Sequence, residues 1–179
     1  MELASAQTLP VSQADAWSAL NDIALLQSCI PGCESITPLG DNQYEILVTA
    51  AVGPVKAKFK GKLRLENLQP PQSYTLQFEG QGGAAGHAKG SAEVSLSAVS
   101  DRETQLTYSA KAQVGGRIAQ IGSRLVDMAA QKMAGEFFAA FGERLSERFP
   151  QTQTAVAVSE SSTSWWSRWW AAIQRWLAR

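Results

Sequence analysis

Residues 116–150 read GRIAQIGSRLVDMAAQKMAGEFFAAFGERLSERFP, and the spacing within them decides the fold. Apolar side chains recur every three or four residues along this stretch, which is the period of one helix face. The spacing predicts a helix of roughly thirty residues, near 45 Å in length, that ends at Phe149 and Pro150. The apolar stripe consists of Ile118, Ile121, Leu125, Met128 or Ala129, Met133, Phe137, Phe141 and Leu145.

The chain before this helix is typical of an antiparallel sheet. A strand at residues 3–9 and two short helical segments are followed by stretches of alternating or β-prone residues with short turns between them, which predict consecutive paired strands. One long helix beside such a sheet must lie across one of its faces. We therefore predict an α+β helix-grip domain over residues 1–150, in which a curved antiparallel sheet wraps around the long helix. The five later strands are predicted at residues 44–52, 55–67, 74–78, 92–99 and 104–114.

Small residues lie where the sheet and the helix should meet. Gly122, Gly135 and Gly142 fall within the predicted helix, and residues 80–86 read GQGGAAG at a strand junction. Such glycines either let backbones approach closely or leave volume empty, and the sequence does not choose between the two. Any interior gap would be lined by inward apolar residues of strands and helix. We predict this lining to be Trp17, Ile30, Phe59, Leu63, Phe78, Leu96, Tyr108, Leu125, Met128, Met133 and Phe137.

Charge and composition exclude some classes of function. Residues 1–150 carry 13 Lys and Arg against 15 Asp and Glu, a net charge of −2, which argues against nucleic acid as the main partner. Residues 1–10 alternate like a strand and do not resemble a signal peptide, so Cys29 and Cys33 are expected to be reduced thiols in the cytoplasm. No stretch is long and apolar enough to predict a transmembrane helix.

Residues 151–179 differ from the rest of the chain. Residues 151–164 are rich in Ser and Thr, which predicts a flexible linker. Residues 165–179 hold five of the six tryptophans, and a helix there would gather its apolar side chains into one arc with the arginines along one flank. Such a helix is too short to cross a bilayer, and it is suited to the headgroup region. We predict a membrane-docking helix at the inner face of the cell membrane, through Trp165, Trp166, Arg168, Trp169, Trp170, Ile173, Arg175, Trp176, Leu177 and Arg179. A protein groove is the alternative target.

The sequence offers little for catalysis. A single histidine, His87, rules out a His-based metal site, and Cys29 and Cys33 are too few for tetrahedral zinc. No nucleophile elbow, phosphate-binding loop or dinucleotide motif occurs. The alternating cations Lys56, Lys58, Lys60, Lys62 and Arg64 predict a charged sheet face, which is either the solvated side of a strand or a docking surface for an acidic partner or anionic lipid.

Several short motifs occur in order along the chain. Trp17 precedes Leu-Asn-Asp at residues 20–22, and Cys-Ile-Pro-Gly-Cys-Glu occupies residues 29–34. With these motifs the chain resembles the CoxG family, the G-subunit proteins of carbon monoxide dehydrogenase. The resemblance covers residues 1–148 and places the chain in the START-like helix-grip superfamily, whose members hold hydrophobic ligands between sheet and helix. The other matching segments are residues 52–55 (VGPV), 59–62 (FKGK), 80–90, 114–122 (VGGRIAQIG) and the Phe137-Phe138 pair.

The resemblance implies a non-catalytic accessory protein of a molybdenum-containing carbon monoxide dehydrogenase or a related molybdenum hydroxylase. It implies a hydrophobic ligand, in particular a respiratory isoprenoid quinone bound without a covalent link, and no other cofactor. Two other functions stay open on the sequence: a membrane-recruitment adaptor that holds the hydroxylase without a ligand, and a helix-grip enzyme of the cyclase type. The enzyme would need a polar group inside the cavity, for which Tyr108 and His87 are the candidates.

Overall fold

A computed structural model describes residues 1–150 of the chain. The predicted linker and docking helix, residues 151–164 and 165–179, lie outside these described residues. The described part contains seven strands and four α-helices, with a single 3-10 turn at Gly83–Ala85. In chain order they are β1 (Glu2–Leu9), α1 (Gln13–Leu20), α2 (Ile23–Cys29), β2 (Cys33–Gly40), β3 (Gln43–Val52), β4 (Val55–Gln69), β5 (Ser73–Gln81), β6 (His87–Ser100), β7 (Glu103–Gly115), α3 (Arg117–Gln120) and α4 (Ser123–Arg148).

The seven strands form one antiparallel sheet in the order β1-β7-β6-β5-β4-β3-β2. Each strand from β2 to β6 pairs with the strand that follows it in the chain, while β1 returns to pair with β7. The long helix α4 follows the last strand and contacts α2, β1 and β3. The predicted α+β helix-grip architecture is confirmed.

Two strands differ from the prediction. Strand β2 was not predicted, because Pro38 and Gly40 interrupt its alternation. Proline is tolerated there because β2 is an edge strand, which needs no donor on its outer side. Strand β6 begins at His87 and not at residue 92, because the small residues Ala88 and Gly90 carry little strand signal although they pair with β5 and β7.

The predicted single helix is divided at Gly122. This residue has φ +98°, a left-handed conformation that ends α3 and precedes α4. Gly122 therefore lies between two helices, and the prediction that it sits inside one helix is wrong. Because α4 restarts after the break, the face that it buries cannot be extrapolated from Ile118.

The core consists of two clusters. The larger one joins α1, α2 and the C-terminal half of α4 to the sheet, with Phe141 and Leu145 fully buried at its centre. The smaller one groups Ala85, Ile118 and Val126 at the opposite end of the sheet. α1 is fixed at its start by Ser12, whose hydroxyl accepts a hydrogen bond from the Asp15 amide at 3.2 Å.

Candidate functional site: an apolar cavity

A cavity of about 290 Å³ lies between the inner face of the sheet and the helices α1, α2 and α4. Its wall is almost entirely aliphatic and aromatic, with the side chains of Asn21 and three tyrosines as the polar groups. The volume is close to the lower end of small-molecule sites, which span about 300–1,000 Å³. The structure thus favours ligand room over close packing, the question that the glycines left open.

Four of the eleven predicted lining residues lie on the cavity wall: Ile30, Leu63, Tyr108 and Phe137. Their role in binding a ligand stays a prediction. The sequence did not identify the other lining residues, because inward strand positions look alike whether they face a gap or the packed core. These are Leu20, Asn21, Ile23, Leu26, Ile36, Tyr44, Leu65, Tyr74, Leu76, Ala92, Val94, Leu106 and Phe138.

The remaining predicted lining residues lie elsewhere. Trp17 and Leu96 belong to the main core, where the Trp17 ring meets Tyr74 edge-on at 5.7 Å between centroids. Phe59 packs in the smaller cluster, at the opposite end of the sheet from Tyr74. Phe78 is absent from the cavity wall and lies over Gly90, whose missing side chain leaves it room.

Three further predicted lining residues, all on α4, also lie outside the cavity. Leu125, Met128 and Met133 line an open groove outside the cavity, and Leu125 and Met128 are 43% and 57% exposed. The reason is the drift of the predicted spacing around the helix: at 3.6 residues per turn, Leu125 and Met128 lie about 120° and 180° round the axis of α4 from Phe137.

The three cavity tyrosines provide hydrogen-bond donors in an apolar setting. Burial raises the pKa of Tyr74 to about 12, so its hydroxyl stays protonated and able to donate. Burial also raises the pKa of Tyr108, while a hydrogen bond with Ser5 acts in the opposite direction. The Tyr108 ring stacks on Phe138 with 5.2 Å between centroids. Such an arrangement can hold a ring-shaped apolar molecule that carries carbonyl oxygens as acceptors.

The other polar candidates do not reach the cavity. His87 lies at the exposed start of β6, against the backbone of Gly115, and is absent from the cavity wall. Cys29 and Cys33 are free thiols, and burial raises the pKa of Cys33. Within residues 1–150, no group of acidic, histidine or cysteine side chains is placed to hold a metal ion.

The predicted cationic stripe is exposed on the outer face of β4. Three of its members are paired with carboxylates: Lys58 with Glu34 at 2.7 Å, Lys60 with Glu45 at 3.0 Å, and Arg64 with Glu66 at 3.3 Å. An open depression on this face is lined by charges of both signs. The pairing reduces the net positive field of the stripe, and docking to an acidic partner stays a prediction.

An ion pair lies next to the cavity wall. Asn21 is an exposed residue of the wall, so the cavity approaches solvent at the junction of α1 and α2. The next residue, Asp22, caps α2 by accepting a hydrogen bond from the Leu25 amide at 3.1 Å, and it also pairs with Arg148 at the end of α4. The hydrogen bond from Arg148 is the main cause that lowers the pKa of Asp22.

The variant Asp22→Asn tests this ion pair, because asparagine keeps the cap and loses the charge. At pH 7 we expect the free energy of unfolding to fall by about 0.5–1 kcal/mol. A lowered pKa means that the stabilisation is present above the ordinary value and is lost as pH falls through the folded value, so the difference from wild type should shrink below about pH 4. Urea unfolding at several pH values measures it, with Glu147→Gln, which breaks an exposed pair with Arg144, as the control. A difference that is independent of pH would contradict the assignment.

The curved antiparallel sheet, the long helix and the apolar cavity between them define a protein with a START-like helix-grip fold. The chain belongs to the CoxG family, the G-subunit proteins of carbon monoxide dehydrogenase, whose sequence model matches residues 7–146. The resemblance inferred from the sequence is thereby confirmed. A comparison with curated protein sequences found no significant match.

Solved structures show the same architecture. A conserved protein from Geobacillus kaustophilus is 28% identical with a TM-score of 0.78, covering 82% of this chain and 96% of its own. A START superfamily protein from Mycobacterium smegmatis is 12% identical with a TM-score of 0.64, covering 82% and 98%. The Zhui aromatase/cyclase from Streptomyces sp. R1128 is 11% identical with a TM-score of 0.62, covering 83% and 94%. The last two are similar in fold alone.

None of the helices within residues 1–150 combines the length and the apolar character that crossing a membrane requires.

Proposed function

We propose that this protein is a non-catalytic accessory protein of a molybdenum-containing carbon monoxide dehydrogenase or a related molybdenum hydroxylase. It binds an isoprenoid quinone in the cavity and docks peripherally on the inner face of the cell membrane through residues 165–179. The apolar cavity with its tyrosine donors is the observation that carries the proposal.

A quinone matches the chemistry of the wall. Its ring is flat and apolar, which suits the stacked and edge-on aromatic groups around Tyr108 and Tyr74. Its carbonyl oxygens accept hydrogen bonds, and the Tyr74 hydroxyl makes none to another side chain in the described part of the chain. A ligand carbonyl within reach of this hydroxyl would therefore accept a hydrogen bond without displacing another side chain.

The cavity favours binding over catalysis. General acid–base catalysis works best with a group whose pKa lies near the working pH. No Asp, Glu, His, Lys or Cys lines the cavity of the described residues, and the pKa of Tyr74 is about 12. The similarity to an aromatase/cyclase, at 11% identity, is a similarity of fold alone.

Other observations support the proposed partner and the proposed membrane docking. The family is named for carbon monoxide dehydrogenase, which supports a molybdenum hydroxylase as the partner. The Trp- and Arg-rich composition of residues 165–179 supports a lipid surface, where quinones reside. A recruitment adaptor without a ligand explains the tail equally well but gives the cavity no role.

The proposal is tested on full-length protein purified without detergent from the membranes of its own host. Organic extraction followed by mass spectrometry should recover a quinone in near-stoichiometric amount. An unrelated peripheral membrane protein, purified in the same buffers, controls for quinone carried over with lipid. An extract that contains no more quinone than this control would leave the adaptor as the better interpretation.

A further inference from the structure

An open groove of about 500 Å³ lies outside the cavity, between the end of β3 and the N-terminal half of α4. Apolar side chains dominate its walls, and the pair Lys132 and Glu136, 3.7 Å apart, lies on its rim. The apolar part is formed by Pro31, Ala50, Leu125, Met128 and Met133.

The groove exists because β2 stops short of the end of β3. The turn at Gly32 closes onto β3, where the Thr49 amide donates to the Gly32 carbonyl at 2.8 Å. A Cβ atom at Gly32 would lie 2.1 Å from the Thr49 carbonyl oxygen, so only glycine permits this approach. Pairing with β2 ends at Val48, and within residues 1–150 no strand covers Ala50 on that side.

The groove exposes apolar surface to water. Leu125 is 43% exposed and Met128 is 57% exposed, one helical turn apart on the same face of α4. Adjacent exposed apolar side chains that line a concave surface are typical of a binding site. The surface is therefore suited to a flexible apolar occupant.

The groove lies beside the cavity, although the two have no lining residue in common. Ile30 lines the cavity and Pro31 lines the groove, and on α4 Phe137 lines the cavity while Met133, one turn earlier, lines the groove. The cavity alone, at about 290 Å³, has room for a ring but not for a long chain attached to it. A chain that left the cavity between Ile30 and Phe137 would reach the groove beside Pro31 and Met133.

We propose that the ligand is an amphiphile with a compact ring and a long isoprenoid or alkyl chain, whose ring occupies the cavity and whose chain lies in the groove against Leu125 and Met128. This inference rests on the proposed function, and it adds a chain-binding subsite on α4. The groove is thereby predicted to make the protein bind a ring that carries a long chain more tightly than the ring alone.

Calorimetric titration of the full chain with two probes tests it: the chainless ubiquinone ring and decylubiquinone. We expect wild type to bind decylubiquinone at least about 100-fold more tightly than the ring, since each buried methylene adds to the affinity. Met128→Glu should reduce this ratio to below about tenfold and leave the affinity for the ring unchanged, because a carboxylate in the groove opposes burial of the chain. Gln131→Glu adds the same charge to an exposed position of α4 outside the groove and should keep the wild-type ratio.

The outcomes separate this inference from the proposed function. If wild type binds neither probe, the quinone proposal fails together with it. If both probes bind with equal affinity, or if Met128→Glu keeps the wild-type ratio, the groove assignment is wrong while the cavity stands.

If Met128→Glu weakens binding to anionic vesicles and leaves the ratio unchanged, the groove is a lipid contact. If the chain preference appears only after residues 151–179 are removed, the groove is occupied by that segment. Either of these last two results overturns the assignment. Equal urea midpoints of the two variants confirm that both are folded.

Discussion

Removal of residues 151–179 is expected to lower the affinity of the protein for vesicles that contain anionic lipid by about three orders of magnitude. The removed segment holds five tryptophans and three arginines. Each tryptophan partly inserted at the headgroup level contributes about 1–2 kcal/mol, and each arginine adds about 1 kcal/mol of attraction to anionic lipid. After the cost of ordering a short helix, the net is of order 5 kcal/mol, comparable to a single acyl chain.

Vesicle flotation measures this effect and separates its two causes. Replacement of the five tryptophans by serine should abolish flotation at all salt concentrations, because the apolar contribution is not screened. Replacement of Arg168, Arg175 and Arg179 by glutamine should weaken it mainly on anionic vesicles and at low salt. If the protein shortened to residue 150 floats as well as the full chain, the docking surface lies within the folded domain. The same truncation should release the partner hydroxylase into the soluble fraction.

Filling the cavity is expected to abolish quinone binding while the protein stays folded. Ala92 faces the cavity from β6, opposite Leu76 on β5 and Ala110 on β7. In Ala92→Phe the new ring occupies much of the 290 Å³ and takes the place of the ligand ring. We expect the affinity for decylubiquinone to fall by at least about 100-fold, a loss of roughly 3 kcal/mol.

The stability of this variant distinguishes a filled cavity from a disrupted core. Extra atoms in a close-packed interior cost about 1–3 kcal/mol, whereas atoms placed in an empty cavity gain contacts. The free energy of unfolding of Ala92→Phe should therefore equal or exceed that of wild type. Ser95→Phe, on the same strand and facing outward, is the matched control and should bind the quinone normally. Unchanged binding by Ala92→Phe would show that the ligand lies elsewhere.

Local patterns determined the architecture. Alternation in β4 placed Lys56 to Arg64 on one face and Phe59 to Leu65 on the other, because successive strand residues point to opposite sides whatever the rest of the chain does. The same local logic predicted the pairing of consecutive strands and the helix that crosses the sheet. It could not predict β2, where Pro38 and Gly40 weaken the signal and only pairing with β3 forms the strand.

Which inward residues meet empty space was decided by the tertiary structure alone. Leu63 and Leu96 both face inward from strands, yet Leu63 lines the cavity and Leu96 is buried in the core, because α1 packs against β6. A spacing of three or four residues assigned Leu125 and Met128 to the interior, but this spacing drifts around the axis of α4, and both residues lie on its exposed side. Periodicity fixes the side of an element on which a residue lies. The volume beside that residue depends on segments that are distant in sequence, such as α2 and α4, whose ends are joined by the pair of Asp22 and Arg148.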